Sequence, residues 1–399
     1  MGDLVFDWYW VLVPIALLPV AAVSGWRACS QRNILKRAIA PEYIKGLNYL
    51  LDQQTDKAVE IFIKFFQVDM TTLETHVLLG NLFRRKGELE KAIRIHGNLI
   101  QRDHLNDNAK SEALFELGQD YLHAGLLSNA EDIFKRLIKT GNPAFLKRGY
   151  NCLITIYEME KSWHQAIACA QQLQKLGNDC SRYIVHYYCE LAEKELADCD
   201  NYDKAQKYLA KAKALESPSV RLMIIQGDLA LARLDRDKAL AYYSQAFSDY
   251  PGYADILLPK LKKCFSPYDP KAYATYVKNL NIKDMTVLYI VNYIQSMFEA
   301  NRIDEAEEFL FYLIETKRAP LRVLKIFIEE KLKGTDLFED KIVRRIIDEM
   351  NASLSSDYFY MCSKCGFKAY QLYWQCPSCH TWDSSNSIDI VSTSQPQTQ

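Results

Sequence analysis

Apolar and polar residues are distributed along this chain in two distinct patterns. From Trp8 to Trp26 (WYWVLVPIALLPVAAVSGW) nineteen residues run without a formal charge, about the length a helix needs to cross the hydrocarbon core of a bilayer. Beyond residue 39 the apolar residues recur instead at helical spacing, in segments that resemble one another. Three of these segments align in register: LLGNLFRRKGELEKAIRIHGNL (78–99), ELGQDYLHAGLLSNAEDIFKRL (116–137) and IQGDLALARLDRDKALAYYSQA (225–246). Each has a glycine followed twelve residues later by an alanine, a spacing also found at Gly46 and Ala58. The alanines Ala58, Ala92, Ala130, Ala166, Ala205, Ala239, Ala272 and Ala306 step by 34, 38, 36, 39, 34, 33 and 34 residues.

A period near 34 residues with small residues at fixed offsets predicts helix-turn-helix hairpins of the tetratricopeptide kind. Small side chains at Gly80 and Ala92 let two helices approach closely, Phe83 and Leu99 fill the space around them, and Gly87 closes the first helix in a left-handed conformation. About eight hairpins are expected over residues 39–320, followed by two closing helices over 321–351. The stretch near Ala272, with Pro259, Pro267 and Pro270, predicts a distorted seventh hairpin. The expected class is all-α, a tetratricopeptide-repeat superhelix, and such arrays bind proteins or peptides on the face formed by their first helices.

The apolar run reads as a transmembrane helix. Pro14 and Pro19 are tolerated in a spanning helix, and Trp8, Tyr9, Trp10 and Trp26 fall where aromatic belts sit. A cleaved signal peptide would need a basic leading region, whereas only Asp3 and Asp7 precede the run. Arg27, Arg32, Lys36 and Arg37 follow it, so the positive-inside bias places the short N-terminus outside and the rest in the cytoplasm. Residues 1–27 are thus the expected anchor and 28–38 a basic juxtamembrane linker.

Charge and cysteine content narrow the chemistry. A net charge of -1 over 399 residues gives no basic bias of the kind phosphate backbones require, so nucleic acid is not an expected partner. Eleven cysteines, an odd number on the cytoplasmic side, argue against a disulfide framework. Cys152, Cys169, Cys189 and Cys264 lie among apolar helical residues and read as small core side chains. No phosphate loop, His-Glu-x-x-His or nucleophile elbow is present, so no catalytic residue is assigned. His76, His96, His123, His164 and His186 occur singly and read as packed or exposed helix residues. Asn81, Arg84 and Arg85 follow a packing glycine by one, four and five residues, facing the groove of the array. They are either solvated polar residues or an acceptor site for an extended backbone or a carboxylate.

The C-terminal stretch CSKCGFKAYQLYWQCPSC (362–379) departs from the helical pattern. Cys362 and Cys365, and Cys376 and Cys379, form two Cys-x-x-Cys knuckles separated by ten residues, a spacing that closes a four-sulfur shell around one zinc or iron ion. A redox pair of the thioredoxin kind would be single and would open a helix after a strand. Gly366 is expected at positive φ, and His380 is a weaker substitute ligand. A module over 358–383 is too small to fold on its own core, so metal ligation replaces one. Its aromatic residues exceed what it can bury, which predicts packing against the last helices of the array. The Ser-, Thr- and Gln-rich residues 384–399 read as a disordered tail.

The order of anchor, hairpins and knuckles, with YMCSKCGFKAYQLYWQCPSC (360–379), GNLFRRKGELEKAIRIH (80–96) and HYYCELA (186–192), resembles the lipopolysaccharide assembly protein B family of Gram-negative bacteria. The resemblance covers nearly the whole chain. It implies a rubredoxin-type metal site at Cys362, Cys365, Cys376 and Cys379. It also implies a non-enzymatic regulator of lipopolysaccharide synthesis in the inner membrane, acting with the membrane AAA metalloprotease FtsH to promote degradation of the deacetylase that commits precursor to lipid A. Other lipopolysaccharide assembly and transport proteins, and a second copy in a homodimer, are further partners it admits. Two other classes are distinguishable by experiment. A rubredoxin-like electron carrier would hold iron and be red with a one-electron couple. A nucleic-acid-binding ribbon would need more basic residues between the knuckles than Lys364 and Lys368.

Overall fold

The computed structural model describes residues 41–391 apart from 53, 65–69, 103–104, 199–200, 266–268, 281–284, 317–318, 334, 337–339, 355–359 and 388–389. The expected anchor (1–27) and linker (28–38), and residues 392–399, lie outside the described residues, among which no helix is long and apolar enough to cross a membrane. Contacts divide the chain into two compact units, residues 1–156 and 157–399.

The first unit contains the hairpins α1 (Pro41–Leu51) with α2 (Thr55–Lys64), α3 (Met70–Arg85) with α4 (Leu89–Ile100), and α5 (Asp107–His123) with α6 (Leu127–Lys139), then most of α7 (Pro143–Met159). Close approach within a hairpin depends on glycine. A Cβ built on Gly80 would meet the His96 ring at 2.3 Å, and one on Gly118 would meet the Phe134 ring at 2.6 Å. The turns after α3 and α5 place Gly87 and Gly125 at φ 79° and 72°, the left-handed region in which glycine carries no Cβ penalty.

The second unit continues with α8 (Trp163–Lys175), α9 (Ser181–Asp198) with α10 (Tyr202–Lys213), α11 (Val220–Ala232) with α12 (Arg236–Asp249), α13 (Ala254–Cys264) with α14 (Pro270–Asn279), and α15 (Val287–Glu299) with α16 (Ile303–Glu315). Helices α17 (Leu321–Leu332) and α18 (Lys341–Leu354) follow. Here Gly227 meets Tyr243 as Gly80 meets His96: its Cβ would lie 2.3 Å from the ring. The hairpin turns place Lys161, Leu234 and Asn301 at positive φ, where the first unit has glycine.

Seven of the eight periodic alanines are fully buried, at 0% exposure: Ala58, Ala92, Ala130, Ala166, Ala205, Ala239 and Ala306. Ala272 departs from the series. It is exposed on α14, where Tyr273, Ala274 and Val277 face the core instead. Pro259 lies inside α13 and Pro270 opens α14, so this hairpin is built on a proline-shifted frame that the alanine period does not register.

Five short strands complete the described residues. Strand β2 (Tyr360–Cys362) pairs antiparallel with both β3 (Lys368–Ala369) and β4 (Ser385–Ser387). Strand β5 (Ile390–Val391) pairs with β1 (Met285–Thr286), just before α15. The expectation of disorder from residue 384 onward therefore does not hold for 384–387 or 390–391. Composition alone predicts a tail there, but the edge of β2 and the segment before α15 supply backbone partners that composition cannot reveal.

Candidate metal centre and its docking face

The two knuckles have the same backbone. In the first, the Cys362 N–H donates to the Phe367 carbonyl at 2.8 Å and the Gly366 N–H to the Cys362 carbonyl at 2.9 Å; in the second, Cys376 donates to Thr381 at 3.0 Å and His380 to Cys376 at 2.9 Å. The residue after each second cysteine is left-handed, Gly366 at φ 75° and His380 at φ 55°. His380 thus holds the turn position that Gly366 holds in the first knuckle, and its side chain is exposed.

All four Sγ atoms lie within 4.8 Å of one another. Cys362 Sγ is 3.6 Å from Cys379 Sγ and Cys365 Sγ is 3.7 Å from Cys376 Sγ, far longer than a disulfide bond. A tetrahedral four-sulfur shell with metal–sulfur bonds of about 2.3 Å has edges of about 3.8 Å. The thiols therefore fit a single tetrahedral ion, which would supply the cross-link that a module of this size needs in place of a core. Local donors favour the ligating form. A hydrogen bond with Ser384, together with backbone N–H groups, brings the Cys362 thiol down to about 6, and Thr381 lowers that of Cys379. Burial acts in the opposite direction on Cys376, pushed up to about 11.

The second knuckle also docks the module. Trp382 is buried, its ring stacked on His186 with centroids 4.7 Å apart and edge-on to Trp163 and Tyr187, while its Nε1–H donates to Glu158 at 2.8 Å. Gln375 donates to the other Glu158 oxygen at 3.1 Å, and the Tyr187 hydroxyl donates to Glu158 at 2.6 Å. The Asp383 carboxylate accepts from His186 Nε2 at 2.7 Å and Arg182 Nε at 3.1 Å. Desolvation opposes ionisation of Asp383, but these two donors outweigh it and hold the carboxyl below its usual range.

Arg221 closes the interface. It is 2% exposed and paired with Glu190 at 2.7 Å and Glu193 at 2.6 Å, and its guanidinium carbon lies 5.6 Å from the Trp374 ring and 5.8 Å from the Trp382 ring. A desolvated cation near two indoles and paired with two carboxylates is an ion cluster for which desolvation is offset on several sides. Trp374 in turn stacks on Tyr253 with centroids 5.7 Å apart.

These contacts correct the predicted dock. The aromatic surplus packs not on the last helices but on the end of α7, on α8, α9 and α11, and on Tyr253 before α13. Sequence reasoning left His186 as a lone helix residue and did not single out Asp383 or Arg221. The only signal for this region was HYYCELA (186–192), whose first two residues form part of the face that meets Trp382.

The predicted groove residues are placed in the first unit. Arg84 is held by its own chain: it pairs with Glu116 at 2.6 Å and Asp120 at 2.8 Å and donates to Asn81 Oδ1 at 2.5 Å. Asp120 also meets His96 Nδ1 at 2.5 Å, so the network ties α3, α4 and α5 together. Arg85 is exposed.

Fold and site together define a class: a helical-hairpin array of the tetratricopeptide kind with a docked four-cysteine, rubredoxin-type module. The profile of the rubredoxin metal binding domain family matches residues 360–384. Lipopolysaccharide assembly protein B of Escherichia coli K12 is 33% identical over 380 residues, covering 93% of this chain and 97% of its own length. The protein of the same name from Haemophilus influenzae Rd is 25% identical over 403 residues, covering 93% and 97%. The chain belongs to the lipopolysaccharide assembly protein B family. Among solved structures, a tetratricopeptide repeat protein from Parabacteroides merdae is similar at 14% identity, covering 70% of this chain and 99% of its own, with a TM-score of 0.33, a loose likeness.

Proposed function

We propose that this chain is a non-enzymatic inner-membrane scaffold that regulates lipopolysaccharide (lipid A) biosynthesis. In this reading it promotes FtsH-dependent proteolysis of the UDP-3-O-acyl-N-acetylglucosamine deacetylase and helps coordinate lipopolysaccharide assembly. The observation that carries the reading is 33% identity across 93% of the chain to a protein named for lipopolysaccharide assembly. A hairpin array braced by a docked metal module offers large surfaces for protein partners and is consistent with a scaffold.

The division of labour follows from the parts. Residues 1–27 hold the chain at the membrane, with the N-terminus periplasmic and the bulk of the chain cytoplasmic, where they contact the protease or its neighbours. The hairpins present the deacetylase. Tethering scaffold and protease to one membrane turns their meeting into an encounter at high effective concentration. Cys362, Cys365, Cys376 and Cys379 hold zinc or iron, and the module braces the middle of the second unit.

The test is deletion of residues 1–27 in cells that lack the full-length chain. The shortened chain is expected to fold while the deacetylase accumulates. Deacetylase kept at its normal low level by the shortened chain would overturn the tethering mechanism.

A further inference from the structure

We propose that a groove between α10, α11 and α12 binds an acidic peptide segment of a protein partner, with one carboxylate held by Lys213, Gln226 and Tyr242. The groove has a volume of about 470 Å³, within the range of ligand-binding clefts. Buried Leu209, Leu229 and Ala230 supply an apolar floor. Counted from Gly227, the positions equivalent to Asn81, Arg84 and Arg85 are Asp228, Leu231 and Ala232, and none of them lines it. The groove is therefore separate from the face formed by the first helices.

One end of the groove is closed by the chain's own charges. Arg233 donates to Gln206 at 2.6 Å and pairs with Asp203 at 2.8 Å, and Lys238 pairs with Asp235 at 2.6 Å. Lys213, Gln226 and Tyr242 stand seven residues from Gln206, Arg233 and Asp235 respectively. Successive helices run antiparallel, so these three converge on the other end, about 10 Å away. Gln226 and Tyr242 are half-buried and Lys213 is exposed, and among the described residues their polar atoms make no hydrogen bond or ion pair, Glu216 included. An ammonium, an amide N–H and a hydroxyl together form a donor set for a carboxylate, and one uncommitted cation suits a single negative charge. The surrounding charge agrees: α10 also carries Lys207 and Lys211, its Lys204 is taken by Glu195 at 3.1 Å, and on α12 Arg236 is matched by Asp237, with Asp249 at the far end. The span between the ends admits about three extended residues at a rise of about 3.3 Å each, and alternate side chains of such a segment point the same way. A glutamate and a leucine two positions apart thus reach the donor set and the apolar floor together. The inference concerns this groove alone, so its failure leaves the lipopolysaccharide reading intact.

The test is fluorescence anisotropy of a labelled, amidated probe, Gly-Ser-Glu-Ser-Leu-Ser, titrated with the full-length chain in detergent, the helicity of each variant being followed by circular dichroism. Saturable binding is expected, weakened at least about tenfold when the probe's glutamate is replaced by glutamine or when the chain carries Lys213→Glu. Tyr242→Phe is expected to lower affinity severalfold, and Ala210→Phe, which fills the groove from an exposed position, to abolish binding. No saturable binding, equal binding of the glutamine probe, or binding indifferent to Lys213→Glu and Ala210→Phe would overturn the proposal. So would displacement of the probe by hexanoate at the probe's own affinity, since a small carboxylate would then be the ligand.

Discussion

The two knuckles share a backbone and differ in everything around it. The first carries exposed side chains, among them Met361, Phe367 and Tyr370, whereas the second is flanked by Trp374, Trp382 and Asp383, which form the interface with α8, α9 and α11. Ligand geometry is thus a local property, set by two residues between cysteines and one left-handed residue after them. Docking is a property of what lies beside the knuckle, and among the described residues the contacts with α8, α9 and α11 gather at the second one. The module is fastened to the unit through its second half and joined internally through its four thiols.

The largest expected effect removes the difference altogether. Chelation, or Cys376→Ser, should take metal content from one ion per chain to none, because structural zinc sites of this kind are worth on the order of 10 kcal/mol. Hydrogen exchange should then lose protection at both β2 and the Trp382 contact, while circular dichroism retains the helical hairpins. Docking that survived without metal would mean the aromatic face alone holds the module.

Next in size, Trp382→Ala should cost about 3–5 kcal/mol of docking with metal retained, whereas Phe367→Ala on the first knuckle should fall within about 0.5 kcal/mol. Equal effects from both, in thermal unfolding monitored alongside metal content, would show that the asymmetry between knuckles is not energetic. Asp383→Asn should cost about 1.5–3 kcal/mol at neutral pH through its charged hydrogen bonds. Because the folded carboxyl titrates below its unfolded value of about 3.9, this contribution is present above that pH and is lost as pH falls through the folded value. The difference between Asp383→Asn and the unaltered chain should therefore shrink in strong acid.

On the array side of the interface, Gly227→Ala would press a Cβ to 2.3 Å from Tyr243, whose hydroxyl is fixed to Asp228 at 2.6 Å. Overpacking of this kind costs about 1–3 kcal/mol, readable as a lower unfolding temperature without loss of metal. A small effect is also expected at His380→Gly, within about 1 kcal/mol, since glycine suits the left-handed turn as Gly366 does. Loss of metal from that variant would make the imidazole a ligand after all.

Much of the array could be read from side-chain period alone, because each hairpin needs a small residue wherever two helices touch. Ala92 and Gly80 announce that contact whatever surrounds them. The period failed at Ala272 because proline displaced the frame by local backbone geometry, and the alanine was matched by interval rather than by burial. The four cysteines were legible for the same local reason as the hairpins. Asp383, His186 and Arg221 were not, because each has its meaning in a partner far along the chain: Asp383 meets a histidine 197 residues away.

By itself, then, the sequence determined the hairpin period, the two knuckles and the family, since these rest on residues within a few positions of one another. Tertiary structure alone decided where the module sits, that residues 385–387 form a strand, and that Arg84 is bound by the chain's own carboxylates. Those outcomes depend on burial and charge pairing between distant segments, which no short-range pattern encodes.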